Sequence, residues 1–269
     1  MIKLSFIVTA FNVDKYIKEC IKSCLNQKDT SVSYDVIVVD DFSNDKTREI
    51  LSSIKSNHVK LIKNSKNMGI EKSVNKAIEA SKSDFICRVD ADDTIENNFL
   101  NVWEKYLKIN SDFFYYSNYN LIYEGSNIIK SINLPKFSED EIFERGDFLA
   151  TGTIFKKEFF VKYGYYITDL KNCGLENYEF ILRLLKNKIN GFHINENLFN
   201  VLRHQDNLSS KKILSIINYG KKMMSEFSNK QYQTNKFHPY QLKISNTNAY
   251  IVTSVQKKLI TKKVKIKNS

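Results

Sequence analysis

The sequence predicts an α/β protein built on a parallel sheet, and three observations predict it. Short apolar runs alternate with segments of helical periodicity from residue 3 to about residue 90. The runs are near-continuous, as strands covered on both faces read. Three of them end in hydroxyl or carboxylate residues, at Thr9, at Asp40-Asp41 and at Asp90-Ala91-Asp92-Asp93. Ligands bind such sheets at the carboxyl ends of the strands, so the three ends predict one site.

Each element has its own signal. Residues 3–9 (KLSFIVT) read as a buried strand. Residues 14–26 place Tyr16, Ile17, Cys20, Ile21, Cys24 and Leu25 at helical spacing. A second strand covers 34–39 (YDVIVV), and Asn44 or Asp45 can cap a helix running to about Lys55. Strand 59–63, helix 70–81 and strand 84–89 follow. After residue 110 the alternation fades. Residues 113–123 and 127–134 predict a hairpin around Glu124-Gly125, and Ser138 caps a short acidic helix at 139–146. Residues 152–156 read as strand, 157–163 and 175–187 as helix, and 198–203 as strand. Beyond about 210 the pattern is helical and basic. The predicted division is 1–210 for the α/β domain and 211–269 for a basic helical extension.

Composition narrows the class. A chain of 269 residues with 42% hydrophobic residues, 18 Phe and 15 Tyr can bury a sizeable core. Two Pro and 8 Gly exclude collagenous and linker-rich classes. No apolar run reaches membrane-spanning length and the N-terminus lacks a signal-peptide layout, so the expectation is a cytoplasmic chain. The four cysteines, at 20, 24, 87 and 173, form neither a CxxC pair nor a disulfide framework and read as buried thiols. Charge is uneven. Residues 211–269 hold 13 Lys against one acid, Glu226, while residues 1–210 are close to neutral.

The run Asp90–Asp93 carries the chemistry. Three carboxylates at a strand end repel one another and call for a counter-charge, and a divalent cation on a diphosphate fits. Hard oxygen ligands suit Mg²⁺ or Mn²⁺, which take one or two protein carboxylates and fill the rest with phosphate and water. The bland alternative is an acidic turn into a helix at Glu96, capped by Asp93 or Thr94. Asp40-Asp41 has the same alternative, a turn into the next helix. Other motifs are missing: there is no GxGxxG after the first strand, no GxxxxGK[ST], and no glycine in IVTAFNVDKY. A dinucleotide oxidoreductase, a P-loop NTPase and a sugar nucleotidyltransferase are therefore disfavoured. Basic charge alone is a weak sign of nucleic acid, and none is expected as a partner.

Six segments, in order, resemble the family 2 glycosyltransferases, inverting enzymes with the GT-A fold. They are IVTAFN at 7–12, VIVVDDFSNDKT at 36–47, NMGIEKSVNKAIEAS at 67–81, DADD at 90–93, GLENYEFILRLL at 174–185 and RHQDNLS at 203–209. The resemblance implies a nucleotide-sugar donor and a saccharide or lipid-linked saccharide acceptor. It implies that Thr9 cradles the base, that Asp41, with Asp40 beside it, holds uracil and ribose, and that Asn67 lies in a turn near the nucleotide. Lys72 and Asn75 either reach phosphate or form a solvated helix face. Asp90 is implied for the ribose or a metal-bound water, Asp92 for the metal, and Asp93 as sharing the metal. His204 matches the late histidine that meets diphosphate and metal, with Arg203 adjoining. In the motif E-D-Y-E/D the aspartate usually assigned as base is replaced by Asn177, and an amide cannot take a proton. Three readings stand: Glu176 is the base, the acceptor geometry differs, or the chain is an inactive relative that binds a nucleotide-sugar or glycan. Glu179 is expected to pair with Arg183 at i,i+4.

The tail adds one expectation. Residues 255–267 carry six Lys between Val255, Leu259, Ile260, Val264 and Ile266. As a helix this would lie on an anionic membrane surface and make the chain peripheral there; the alternative is a solvated terminus.

Overall fold

The computed structural model describes residues 1–109, 112–126, 129–145, 151–229, 232, 241–245, 248–255 and 258–265. The first half follows the predicted alternation. β1 (Lys3–Ala10), α1 (Ile17–Leu25), β2 (Ser33–Asp40), α2 (Thr47–Ser53), β3 (Val59–Lys63), α3 (Ile70–Ala80) and β4 (Phe85–Asp90) occur in that order. β1 pairs in parallel with β2 and β4, and β2 with β3. Leu4, Phe6, Ile7, Val8, Val36–Val39 and Val89 are fully buried, which explains why these strands read as unbroken apolar runs.

The helix expected at Glu96 begins later. β5 (Thr94–Ile95) is short, and α4 spans Phe99–Leu107 behind Asn98. The reason is pairing: Thr94 and Ile95 join Asn200 and Phe199 in an antiparallel ladder. Asp93 and Thr94 are therefore not helix caps.

The second half extends the same sheet with mixed directions. β6 (Phe113–Tyr123) and β7 (Ile129–Ile132) form the predicted hairpin. Then come α5 (Glu139–Arg145), β8 (Ile154–Lys156), α6 (Lys157–Tyr163), α7 (Glu176–Lys186) and β9 (Asn190–Arg203). The strand order is β3-β2-β1-β4-β8-β6-β9-β5, with β7 on β6. β9 is longer than expected because it runs parallel to the whole of β6, with register shifts around Asn118.

The helical part of the C-terminal region is α8 (Leu208–Lys211) and α9 (Ile213–Phe227). Ile216, Ile217, Met223 and Met224 of α9 are buried in the same core as the sheet. Tyr178 of α7 faces Met224, at 3.8 Å from hydroxyl to sulfur, and the Tyr232 ring, at 6.4 Å between centroids. The expected helix does not continue. β10 (Gln241–Ser245), β11 (Asn248–Val255) and β12 (Lys258–Lys265) form a three-stranded antiparallel sheet. The segment KLITKKVK satisfies a strand period as well as a helical one, and the structure takes the strand. The expected apolar face of the tail, Val255 to Ile266, lies outside the residues whose side chains are described. No described helix is long and apolar enough to cross a membrane.

Candidate active site

A cleft of about 700 Å³ opens at the carboxyl ends of β1 and β4. Thr9, Arg88, Asp90, Asp92, Asp93, Glu176, Arg203 and His204 are in its wall. The loop after β1 is laced to the loop after β2. Asn12, at φ 53°, donates its N–H to Ser43 Oγ and accepts from Asn44 N–H through its own side chain. Val13 N–H donates to Thr47 Oγ1 and Asp14 N–H to Asp45 Oδ2. These bonds hold the front of the cleft in place.

Asp92 and His204 meet in this cleft. His204 Nε2 lies 2.9 Å from Asp92 Oδ2, and Asn207 Nδ2 donates to the same oxygen at 3.0 Å. Asp206 N–H donates to His204 Nδ1 at 3.2 Å, so the ring proton belongs on Nε2, pointing at Asp92. The Tyr16 ring stacks on His204 at 4.6 Å, and its hydroxyl donates to Glu124. Partial burial and the Glu124 carboxylate push the Tyr16 hydroxyl up to about 12.

Asp93 is placed differently from the expectation. It is 5% exposed and both oxygens are used: Oδ2 accepts from Thr151 Oγ1 at 2.5 Å and Oδ1 from Leu202 N–H at 3.0 Å. Burial, with Asp92 and Asp90 nearby, pushes its carboxyl well above the usual range. Its two bonds clip the 90–93 turn to Thr151 and to β9.

Asp40, Asp41 and Asn67 are not in the cleft wall. Asp40 is fully buried, accepting from Ser43 N–H at 3.0 Å and from Arg48 Nε at 2.7 Å. Asp41 accepts from Met68 N–H, Gly69 N–H and Asn64 Nδ2 at 2.7–2.8 Å. The Asn67 carbonyl accepts from Lys171 Nζ at 2.7 Å. Asp40 thus ties the turn after β2 to Arg48, and Asp41 ties it to the 64–69 segment. Asn75 exchanges two hydrogen bonds with the backbone of Tyr166, so it is neither solvated nor aimed at phosphate.

The base region contains a residue that the sequence reading passed over. Arg88, 7% exposed at its side chain, gives Nη1 to Glu176 Oε1 at 2.6 Å and its Nε/Nη2 edge to Asp90 Oδ1 at 2.8 Å. Burial works against its charge, but Asp90 and Glu176 hold the guanidinium well above its ordinary value. Burial also pushes the Asp90 carboxyl up, with Arg88 opposing. The arginine inside the apolar run FICRV was the available signal, because a buried strand keeps an arginine only when it is paired. Asn177 is fully buried, and its Oδ1 accepts from the Tyr166 hydroxyl at 2.7 Å. Glu176, not Asn177, is the motif residue in the cleft wall. Glu179 pairs with Arg183 at 2.7 Å, as expected.

A latch orients α7. Glu71 accepts from the N–H groups of Asn172 and Cys173 at 2.9 and 2.7 Å, and Asn172 Oδ1 accepts from Ile70 N–H. At Gly69, φ is 93°, and an added Cβ would come within 2.6 Å of Lys171 Cγ. Glu71, Cys173 and Glu176 bring donor atoms within 4.8 Å of one another. All three are engaged with other groups of the protein. Glu71 is taken up by backbone N–H groups, Glu176 by Arg88, and burial, with Glu176 next, pushes the thiol up and keeps it protonated. Asp92 does suit a divalent ion: a hard oxygen donor, 21% exposed at its side chain, facing the cleft beside His204.

The profile of "Glycosyl transferase family 2" matches residues 5–164. The chain belongs to this family. A hyaluronan synthase from Pasteurella multocida is 30% identical over 218 residues, which are 78% of this chain and 21% of that protein. The chain thus spans about a fifth of that relative's length. Among solved structures, S. aureus TarS 1-349 in complex with UDP-GlcNAc superposes with a TM-score of 0.69 at 19% identity, covering 87% of this chain and 68% of that one. The mannosyltransferase PcManGT from Pyrobaculum calidifontis, in complex with GDP-Man and Mn2+, gives 0.65 at 15% identity, covering 85% and 65%. The fold of this family 2 chain is GT-A.

Proposed function

We propose that this family 2 chain is a metal-dependent inverting glycosyltransferase. It moves a sugar from a nucleotide donor, most simply a UDP-sugar, to a saccharide or lipid-linked saccharide of a bacterial surface glycan. One observation carries the reading: a single cleft holds Asp92 with His204 and, linked through Arg88 and Asp90, Glu176. The relatives support the class of donor and acceptor, through a synthase of hyaluronan and a fold shared with a UDP-GlcNAc complex.

Thr9 and Asp90 line the donor side, and Asp40, Asp41 and Asn67 shape it through their turns. Asp92, with His204 beside it, would hold Mn²⁺ or Mg²⁺. Such an ion supplies neutralising charge to a diphosphate leaving group. The acceptor hydroxyl oxygen bonds to the anomeric carbon on the face opposite the diphosphate. The carbon–oxygen bond to the diphosphate breaks, its electron pair leaving with phosphate, and Glu176 takes the hydroxyl proton. Arg88 supplies the counter-charge that the buried Glu176 carboxylate requires. The basic tail would bring the chain to an anionic membrane face on the cytoplasmic side.

The test is a panel of nucleotide-sugars with saccharide acceptors and Mn²⁺, read as nucleoside diphosphate release. Release from one donor, stopped by EDTA and restored by Mn²⁺, is expected. Binding of a donor without release under any condition would favour the inactive binding module. Full release in EDTA would overturn the metal-dependent reading.

A further inference from the structure

We propose that Arg88 is a positioning residue for transfer, fixing the Glu176 carboxylate against the donor side of the cleft through a guanidinium anchored on Asp90. The proposal rests on the reading of Glu176 as base. It adds a residue that neither the motif nor the family resemblance singles out.

The geometry is specific. Asp90 Oδ1 accepts from the Nε/Nη2 edge of the guanidinium at 2.8 Å, which sets the plane of the group. Glu176 Oε1 accepts from Nη1 at 2.6 Å. The two carboxylates come from different elements: Asp90 ends β4, and Glu176 opens α7, 88 residues from Arg88. The arginine is itself held. Its carbonyl accepts from Gly152 N–H at 2.9 Å, and the strand residue before it, Cys87, pairs with Ile154 of β8. Side-chain exposures of 7% for Arg88 and 3% for Glu176 leave little solvent to replace the pair. A lysine would keep the charge and lose the planar fork, so it could not hold both carboxylates in one fixed plane. Reacting groups displaced by about 1 Å lose up to ~10²-fold in rate, and the other Glu176 oxygen accepts from the Cys173 thiol, a weak donor, at 3.6 Å.

A purely structural salt bridge would have the same distances. A double-mutant cycle separates the two roles, because a residue that acts through Glu176 has nothing left to do once Glu176 cannot take a proton. The experiment uses the full chain, its donor and an acceptor. It measures kcat, donor KM and melting temperature for Arg88→Lys, Glu176→Gln and the double variant. Arg88→Gln is carried beside Arg88→Lys as a second, uncharged probe should the lysine variant not fold. The expected result is a kcat loss of about 10- to 10²-fold for Arg88→Lys with donor KM within about threefold of the parent. The double variant is expected to be no slower than Glu176→Gln alone. Parent-like kcat in Arg88→Lys, or losses that multiply in the double variant while Glu176→Gln alone is slow, would overturn the positioning role and leave the base assignment intact. Parent-like turnover in Glu176→Gln itself would overturn the base assignment, and the role of Arg88 with it.

Discussion

His204 Nε2 stands 2.9 Å from Asp92 Oδ2, joining residues 112 positions apart at the floor of the cleft. Asp93, the next residue along, turns the other way and ties Thr151 to the backbone of Leu202. Neighbouring carboxylates thus do different work, and their substitutions separate. Asp92→Ala should abolish transfer and lower the melting temperature less than Asp93→Ala does, since the Asp92 side chain is partly exposed. Asp93→Ala removes the acceptor of the buried Thr151 hydroxyl and of the half-buried Leu202 N–H, a loss of about 1–3 kcal/mol. Its melting temperature should fall by several degrees, since each kcal/mol shifts a chain of this size by roughly 2–4 °C. Calorimetry on both variants checks this; an unshifted Asp93→Ala would contradict the clip.

Glu176→Gln should lower kcat by about 10²-fold or more, in line with the loss of a general base, and leave donor affinity near the parent. Asn177→Asp should not raise turnover. Its side chain is packed against Tyr166 and away from the cleft, so a carboxylate there adds a buried charge and no base. Steady-state kinetics of both variants check the pair of statements, and a faster Asn177→Asp would move the base to residue 177.

Glu71→Ala should loosen the segment before α7. It leaves the N–H groups of Asn172 and Cys173 unpaired at one end of the cleft. The expected outcome is faster hydrogen exchange at residues 172–173 and a loss of stability of about 1–3 kcal/mol in urea. Unchanged exchange there would mean the latch does not hold α7.

The alternating half of the fold was legible because β1, β2 and β4 are buried on both faces and each helix on one, so the apolar pattern writes the period directly. Asp92 and His204 were legible as motif residues, and the structure brings them within 2.9 Å of each other. Arg88 was not, since a single charge inside an apolar strand has no spacing to mark it. Asp40 and Asp41 show the converse: their position at a strand end was read correctly, and their hydrogen bonds to Arg48 and to the 68–69 turn exist only in three dimensions. The tail was ambiguous in kind. Lysines interleaved with apolar residues fit both periods, and ladder pairing between β11 and β12 decided for strand.

The basic tail gives a separate prediction. Cutting at Thr253 would split β11, so the informative truncation ends at residue 240 and removes β10–β12 together. The full chain should sediment with anionic and not neutral vesicles, and 0.5 M salt, roughly a 4 Å screening length, should release it. The shortened chain should stay in the supernatant and act on a soluble acceptor. Equal partitioning of both would remove the membrane role.

The central claim is that the cleft at the ends of β1 and β4 takes a nucleoside diphosphate through a divalent ion on Asp92. Calorimetric titration of nucleoside diphosphates, UDP first, into the parent and Asp92→Asn with and without Mn²⁺ tests it directly. The account predicts binding that requires Mn²⁺ in the parent and is at least about tenfold weaker in the variant, roughly the 1.4 kcal/mol of one lost charged contact. Equal affinity in parent and variant, or affinity indifferent to Mn²⁺, would contradict it.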